Sequence, residues 1–227
     1  NDEIIIGAGV TYADAKEILA TIDPDVAEII RRIGSTQVRA SGTIGGNIAN
    51  GSPIGDSPPL LIALNAKLSL QKGTDTREID LEDFFIDYGK QDRVPGEFVE
   101  SIRVPLPGAN DLNAAYKISK RRDEDISSVA AGISVKVVDG LISEARVAFG
   151  GMAATPKRAA QAEAALIGQA WSGESFEAAA SVLGKDFAPL TDWRASSEYR
   201  MTVAQNLFRR FWLEQTSDDV AAIRLTA

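Results

Sequence analysis

Ala40-Ser41-Gly42-Thr43-Ile44-Gly45-Gly46-Asn47-Ile48-Ala49-Asn50-Gly51-Ser52-Pro53-Ile54-Gly55-Asp56 is the stretch around which the chain is organised. It holds five glycines, two asparagines, three hydroxyl side chains and one carboxylate, separated by short apolar residues. Large apolar groups are too few for a core strand, and glycine is too frequent for a helix, so the composition predicts a long loop. Glycines allow close approach and positive φ, which exposes N–H groups in concavities suited to anions or the polar edge of a heterocycle. Thr43, Asn47, Ser52 and Asp56 add side-chain hydrogen-bonding groups around the paired glycines. A purely structural loop with two or three turns is the competing reading. Ser57-Pro58-Pro59-Leu60-Leu61-Ile62-Ala63-Leu64 follows as an N-cap, two first-turn prolines and a short buried helix. Asp56 then lies near the positive end of that helix, placed to accept hydrogen bonds from a ligand hydroxyl or ring N–H.

Working outward, 227 residues suffice for one large domain or two small ones with a real core. The hydrophobic share of 44% and charged share of 25% are those of an ordinary globular protein. A net charge of -8 argues against nucleic acid or an anionic membrane as a general partner. Cysteine and histidine are both absent. Disulfides, thiol nucleophiles, imidazole bases, His or Cys metal sites and cysteine-ligated iron–sulfur clusters are therefore excluded within these residues. Redox chemistry here would belong to an organic cofactor or a partner. No apolar run approaches the ~20 residues needed to span a bilayer, and no signal-peptide pattern opens the chain, which leads to the expectation of a cytoplasmic protein. The strand-like Glu3–Gly7 already under way at Asn1 reads as the start of a fragment or a cleaved product.

Gly7-Ala8-Gly9 lacks the third glycine of a dinucleotide fingerprint, since position 12 is Tyr12. Thr11 instead caps a helix through about Ala20, with Asp14 at its third position. A second helix runs from about Asp25 to Ile33 and stops at Gly34, with Arg31 and Arg32 in its last turn as solvated charges. Lys67–Gln71 and Thr76–Ile79 form a hairpin, Asp80–Phe85 a short capped helix, and Phe98–Val104 a strand ended by Pro105 and Pro107. The Pro105–Asn110 segment is the expected boundary between two domains, 1–107 and 108–227. Beyond it come a strand over Ala114–Ser119, a charged block over Lys120–Asp125, and strands over Ser128–Val138 and Leu141–Phe149. Asp139-Gly140 between the last two is a strong type I′ hairpin signal. Helices are expected over Pro156–Ile167, Ser175–Gly184 and Ser196–Glu214, the last with Val203, Leu207, Phe208, Phe211 and Trp212 on one core stripe. The fold class is α+β: an α/β portion followed by a small subdomain with a three-stranded antiparallel sheet covered by helices. For the charged block a solvated loop is the plain reading; its mixed order also suits docking of a phosphate-bearing partner.

Three separated motifs together carry a family resemblance over about Ile33 to Trp212. Thr43–Asp56 resembles the second flavin-contacting loop of the FAD domain in molybdenum hydroxylases. Tyr116-Lys117-Ile118-Ser119-Lys120-Arg121-Arg122-Asp123-Glu124-Asp125-Ile126 resembles the flavin-side loop of xanthine dehydrogenases. Phe149-Gly150-Gly151-Met152-Ala153, with Pro156 and Arg158, is similar to the start of that family's C-terminal flavoprotein subdomain. The resemblance implies the small, FAD-carrying chain of a bacterial xanthine dehydrogenase. It implies that Thr43, Ile44, Gly45, Gly46 and Asn47 line the FAD, that Asp56 holds a polar group of its adenosine or ribityl half, and that Val99 and Lys117 lie near the ring. Arg121, Arg122, Asp123 and Glu124 match the mobile loop that tunes the flavin and the approach of NAD. Ile33 stands where some members place an aromatic ring. The family's Gly-rich pyrophosphate loop would lie upstream of Asn1, and the iron–sulfur and molybdenum-cofactor units on other domains or chains. The implied chemistry is purine oxidation at molybdenum, with electrons passing through iron–sulfur clusters and FAD to NAD. Two alternatives stay open: the FAD chain of a carbon monoxide, aldehyde or nicotinate enzyme, or a fragment that binds no FAD alone and serves only as a subunit-interaction module.

Overall fold

The computed structural model describes residues 2–217. Strand β1 (Glu3–Gly7) leads through a Gly-containing turn into helix α1 (Tyr12–Ala20), whose N-cap Thr11 accepts from the Asp14 N–H, as the sequence predicts. Helix α2 (Pro24–Arg31) is capped by the Asp23 carboxylate and buries Val26, Ile29 and Ile30; it starts slightly earlier than periodicity suggests, because Pro24 suits the first turn. Two further short helices follow, α3 (Thr36–Ser41) and α4 (Ile44–Asn50).

Helix α4 corrects the loop expected from glycine content. Thr43 caps it by accepting the Gly46 N–H at 3.0 Å, and Gly51 closes it in the left-handed conformation at φ 63°. Tertiary packing outweighs the poor propensity of two glycines. Ile44 and Ile48 are buried, and a Cβ on Gly45 would lie 2.3 Å from the Ala8 Cβ. Helix α5 (Ser57–Ala63) is buried along its whole length. Its N-cap is Asp56 rather than Ser57, and Asp56 makes no side-chain capping bond because its carboxylate is engaged elsewhere.

Strands β2 (Lys67–Lys72) and β3 (Asp75–Asp80) form the expected hairpin, followed by a 3-10 turn at Leu81–Phe84, strands β4 (Phe85–Asp87) and β5 (Lys90–Gln91), and β6 (Phe98–Pro105). The first sheet has the order β1-β6-β2-β3 and is antiparallel throughout. Its alternating inward residues, Leu68, Leu70, Ile102 and Val104, pack with α1, α2 and α4 in one core.

After Leu106–Asn110 the chain enters β7 (Asp111–Ile118), β8 (Val129–Val138) and β9 (Leu141–Gly150). Asp139 and Gly140 have φ 51° and 74°, the two positive values that a type I′ turn needs. The stretch expected as one helix over Pro156–Ile167 is instead strand β10 (Lys157–Arg158) followed by α6 (Ala160–Leu166). The second sheet is therefore four-stranded, order β10-β9-β8-β7, rather than three-stranded. Helices α7 (Gly173–Ser181) and α8 (Ser197–Thr216) cover it, with a 3-10 turn at Leu183–Lys185 where an α-helix through Gly184 is expected. Leu207, Phe208 and Phe211 of the predicted stripe are buried, with Val203 and Trp212 packed beside them.

The two sheet units meet along α5, which lies against β8 and β9. Gly132 makes this contact possible: a Cβ there would sit 2.7 Å from the Leu60 Cα and the Pro59 carbonyl oxygen. Arg146 donates to the Ile62 carbonyl and to Glu82, and Arg158 pairs with both Glu82 and Glu163, so charges also tie the seam.

Candidate functional site at the seam

The first sheet unit and the second bring the Gly-rich stretch and the charged block to opposite walls of one cleft of about 270 Å3. Asn47, Ser52 and Asp56 line one wall, Glu124, Asp125 and Ile126 the other, and Ile33 and Gly34 its end. Gly34 takes φ 52°, which turns the chain sharply after α2.

Asp56 is the polar centre. Its two carboxylate oxygens accept from the Lys117 ammonium at 2.5 Å and from the Ser127 hydroxyl at 2.5 Å. Lys117 also donates to Ser127 at 2.9 Å, so three residues from two sheet units form one closed trio. The Lys117 side chain is 1% exposed and that of Asp56 10%, so the ammonium is cut off from bulk water while the carboxylate keeps an edge on the cleft. Beside it, Ser57 donates to the Asn47 Oδ1 at 2.8 Å, and the Ser57 and Tyr12 hydroxyls lie 2.7 Å apart. Burial pushes the Tyr12 hydroxyl well above its ordinary value, so it stays protonated and can donate. With its Oδ1 held in this way, the Asn47 amide nitrogen has no partner among the described residues and is oriented by its neighbours.

The structure separates the other sequence-predicted residues. Thr43 caps α4, Ile44 and Gly45 are buried in the first core, and Gly46 is exposed, but none of these four lines the cleft. The expected row of open N–H groups is absent from α4. The Ile44 and Gly45 N–H groups donate to Val10 and Ala8, and those of Gly46 and Asn47 to Thr43. Val99 is buried on β6 in the first core, away from the cleft lining.

The charged block is held from α2. Arg32 donates to the carbonyls of Lys117 and Arg122, both at 2.9 Å, and to the Ser119 hydroxyl at 3.2 Å, while Arg31 pairs with Asp123 at 3.0 Å. These two arginines, expected as solvated helix-end charges, thus bind the loop across the seam. Hydrogen bonding from Arg31 also holds the Glu28 carboxyl below its usual range. Arg121 donates to the Glu124 carbonyl, and Glu124 itself sits at φ 52°. Arg121 and Arg122 face a second cleft of about 410 Å3 between α2 and β7, which neither Asn47 nor Asp56 reaches. Sequence reasoning missed Ser127, since a lone serine beside a charged run carries no pattern. It also missed the Arg32 clasp, since only the fold brings residues 85 to 90 positions apart together.

The donor set suits a neutral, hydrogen-bonding ligand with an apolar face: an amide donor, a hydroxyl, a carboxylate with spare lone pairs, and the side chains of Ile33 and Ile126. Among the described residues no group of His, Cys, Asp or Glu is placed to hold a metal ion, and no helix is long and apolar enough to cross a membrane.

The arrangement is thus two antiparallel sheet units, the first carrying the Gly-rich motif and the second covered by helices, that meet at one cleft. Residues 1–107 match the family of the FAD binding domain in molybdopterin dehydrogenase, and residues 114–215 match the CO dehydrogenase flavoprotein C-terminal domain. The glyceraldehyde dehydrogenase medium chain of Sulfolobus acidocaldarius is 32% identical over 213 residues, covering 93% of this chain and 75% of that one. Nicotinate hydroxylase of Emericella nidulans is 34% identical over 194 residues, 82% of this chain and 14% of that much longer protein. Among solved structures, a carbon monoxide dehydrogenase from Hydrogenophaga pseudoflava superposes with a TM-score of 0.86 at 31% identity, over 92% of this chain and 74% of that one. The chain belongs to the FAD-carrying medium subunits of the molybdenum hydroxylases.

Proposed function

We propose that this chain binds FAD at the seam cleft and relays electrons from iron–sulfur clusters on a partner chain or domain to NAD, in a cytoplasmic, xanthine-oxidising molybdenum hydroxylase. The observation that carries the reading is the oriented Asn47 amide, without a partner among the described residues, next to the Asp56–Lys117–Ser127 trio. Family membership supports FAD as the cofactor. The cleft of about 270 Å3 lies just below the ~300–1,000 Å3 of whole ligand sites, so it holds part of a dinucleotide rather than all of it.

When bound, FAD supplies the hydride and electron-transfer chemistry, and the protein supplies position and field. Asn47 offers its amide hydrogens to a ring carbonyl or polyol oxygen. Asp56 accepts from a hydroxyl or ring N–H through lone pairs that Lys117 and Ser127 leave open. Lys117 contributes a fixed positive charge behind that carboxylate, and Ile33 and Ile126 keep water from the apolar part of the site. Thr43, Ile44, Gly45 and Gly46 act by building α4, which presents Asn47, and Val99 supports β6 beneath it. Arg121, Arg122, Asp123 and Glu124 face the acceptor. The units 1–107 and 108–227 act as two domains that close on the cofactor.

Xanthine is proposed on the likeness of the Tyr116–Ile126 loop; the nicotinate, glyceraldehyde and carbon monoxide relatives define the alternatives. The test uses the purified complex. It should contain FAD and reduce NAD with xanthine but not with nicotinate. Asn47→Ala should weaken FAD by ~1–3 kcal/mol, about fivefold to 150-fold. Unchanged FAD content with a lowered melting temperature would make the stretch purely structural. Neutralising Arg121 and Arg122 should slow NAD reduction more than substrate-driven flavin reduction; equal losses in rapid mixing would reject their acceptor role.

A second reading, a chain that binds no FAD alone and serves in assembly, is favoured by one observation. The first-turn N–H groups of α4 are all taken, so this stretch gives a pyrophosphate no row of donors. Calorimetry with FAD on the 227-residue chain separates the two, sub-micromolar binding excluding the assembly-only reading.

A further inference from the structure

Arg200, on the first turns of α8, is 2% exposed and lies in the second sheet unit rather than among the cleft-lining residues. One of its terminal nitrogens donates to the Ser128 carbonyl and, at 3.0 Å, to the Gly151 carbonyl; the other donates to Asp192 at 2.7 Å. Both carbonyls belong to segments that hold the trio and the Gly-rich stretch. Ser128 directly follows Ser127, whose hydroxyl is bound to Asp56. Gly151 donates its N–H to the Pro53 carbonyl at 2.7 Å, two residues before Gly55. The clasp leaves no room for a side chain at Gly151, where φ is 80° and a Cβ would lie 2.3 Å from the Ser128 carbonyl oxygen and 3.0 Å from the guanidinium. Asp192 completes the frame by accepting the N–H groups of Arg194 and Ala195, which fixes the turn that launches α8.

We propose that Arg200 is a positioning residue for the flavin site: it locks the β8 start and the β9 end together, and through them sets the place of Ser127 on Asp56 and of Pro53–Gly55 beside it. The proposal rests on the FAD reading above. Two carbonyls and a carboxylate at fixed angles need the planar fork of arginine; a lysine ammonium is a point charge on a flexible stem and cannot hold all three. The effect on the cofactor is therefore indirect, through the register of residues that arginine never touches.

The test compares Arg200→Lys, Asp192→Asn and a distant core variant, Phe211→Leu, in the purified complex. Phe211→Leu controls for plain loss of stability, since Phe211 packs against Trp171 and Phe176 in the second core. Asp192, whose side chain is 45% exposed, guards against a variant that fails to fold. Arg200→Lys should weaken FAD by about tenfold or more, the worth of one charge-assisted hydrogen bond, and shift the flavin absorption band and midpoint potential. Amide exchange should rise at Ser127, Ser128 and Gly151. Asp192→Asn should move the same readouts in the same direction by less, and Phe211→Leu should lower the melting temperature without moving them. Flavin spectrum, potential and amide exchange equal to wild type in Arg200→Lys would overturn the inference, as would shifts of the same size in Phe211→Leu. A wild-type complex that contains no flavin would instead overturn the FAD reading, and this inference with it.

Discussion

Lys117→Met is the most informative perturbation of the site. The Lys117–Asp56 pair is 2.5 Å long with side chains 1% and 10% exposed. At an effective dielectric constant of ~20, that separation gives about 7 kcal/mol of gross attraction, much of it offset by the cost of taking both charges out of water. Removing only the ammonium leaves the largely covered Asp56 carboxylate with Ser127 as its one remaining side-chain donor, which should cost up to roughly 3–5 kcal/mol. For a chain of this size that is a fall of about 6–20 °C in melting temperature. Asp56→Asn in the same background removes the stranded charge while keeping an oxygen for Ser127. The double variant should regain much of the loss, with a coupling of roughly 2 kcal/mol or more in a double-mutant cycle by urea unfolding. Additivity within ~0.5 kcal/mol would refute the reasoning, because independent residues do not couple.

Gly132→Ala should destabilise by ~1–3 kcal/mol or more, because its Cβ meets the α5 backbone, which cannot yield; unfolding by urea measures it, and a neutral result would contradict the seam packing. Tyr116 donates to the buried Glu214 at 2.6 Å, and burial first, then the Glu214 charge, raises its hydroxyl far above the ordinary value. The native state thus keeps a proton that the unfolded chain loses near pH 10, so stability should fall as pH rises above ~10, and Tyr116→Phe should flatten that slope. Glu97 is held to about 2 chiefly by its hydrogen bond from Arg77. Its contribution is present above its unfolded value of 4.5 and lost as pH falls through about 2, so the stability gap between wild type and Arg77→Met should shrink across that window in acid titrations.

Local physics was enough for much of the fold. Thr11 and Ser196 cap helices through bonds spanning three residues, and Asp139-Gly140 specifies its turn by two φ values, so each is readable from a few neighbouring letters; the α7 start at Gly173, two residues before the expected Ser175, is not. The α8 stripe is likewise a repeat on one helix face. Absence of cysteine and histidine set the chemical limits with no fold at all. The Gly-rich stretch marked itself as special, yet its helix was not legible, because what requires Gly45 there is the close approach of Ala8, on a turn 37 positions away. The same holds for the site. Lys117 and Asp56 lie 61 residues apart and Arg200 and Ser128 72 apart. Propensity and periodicity act over a few residues, whereas Lys117 and Asp56 meet only when α5 lies on β8 and β9, and Arg200 and Ser128 only when α8 covers the second sheet, so these pairings belong to the tertiary structure alone.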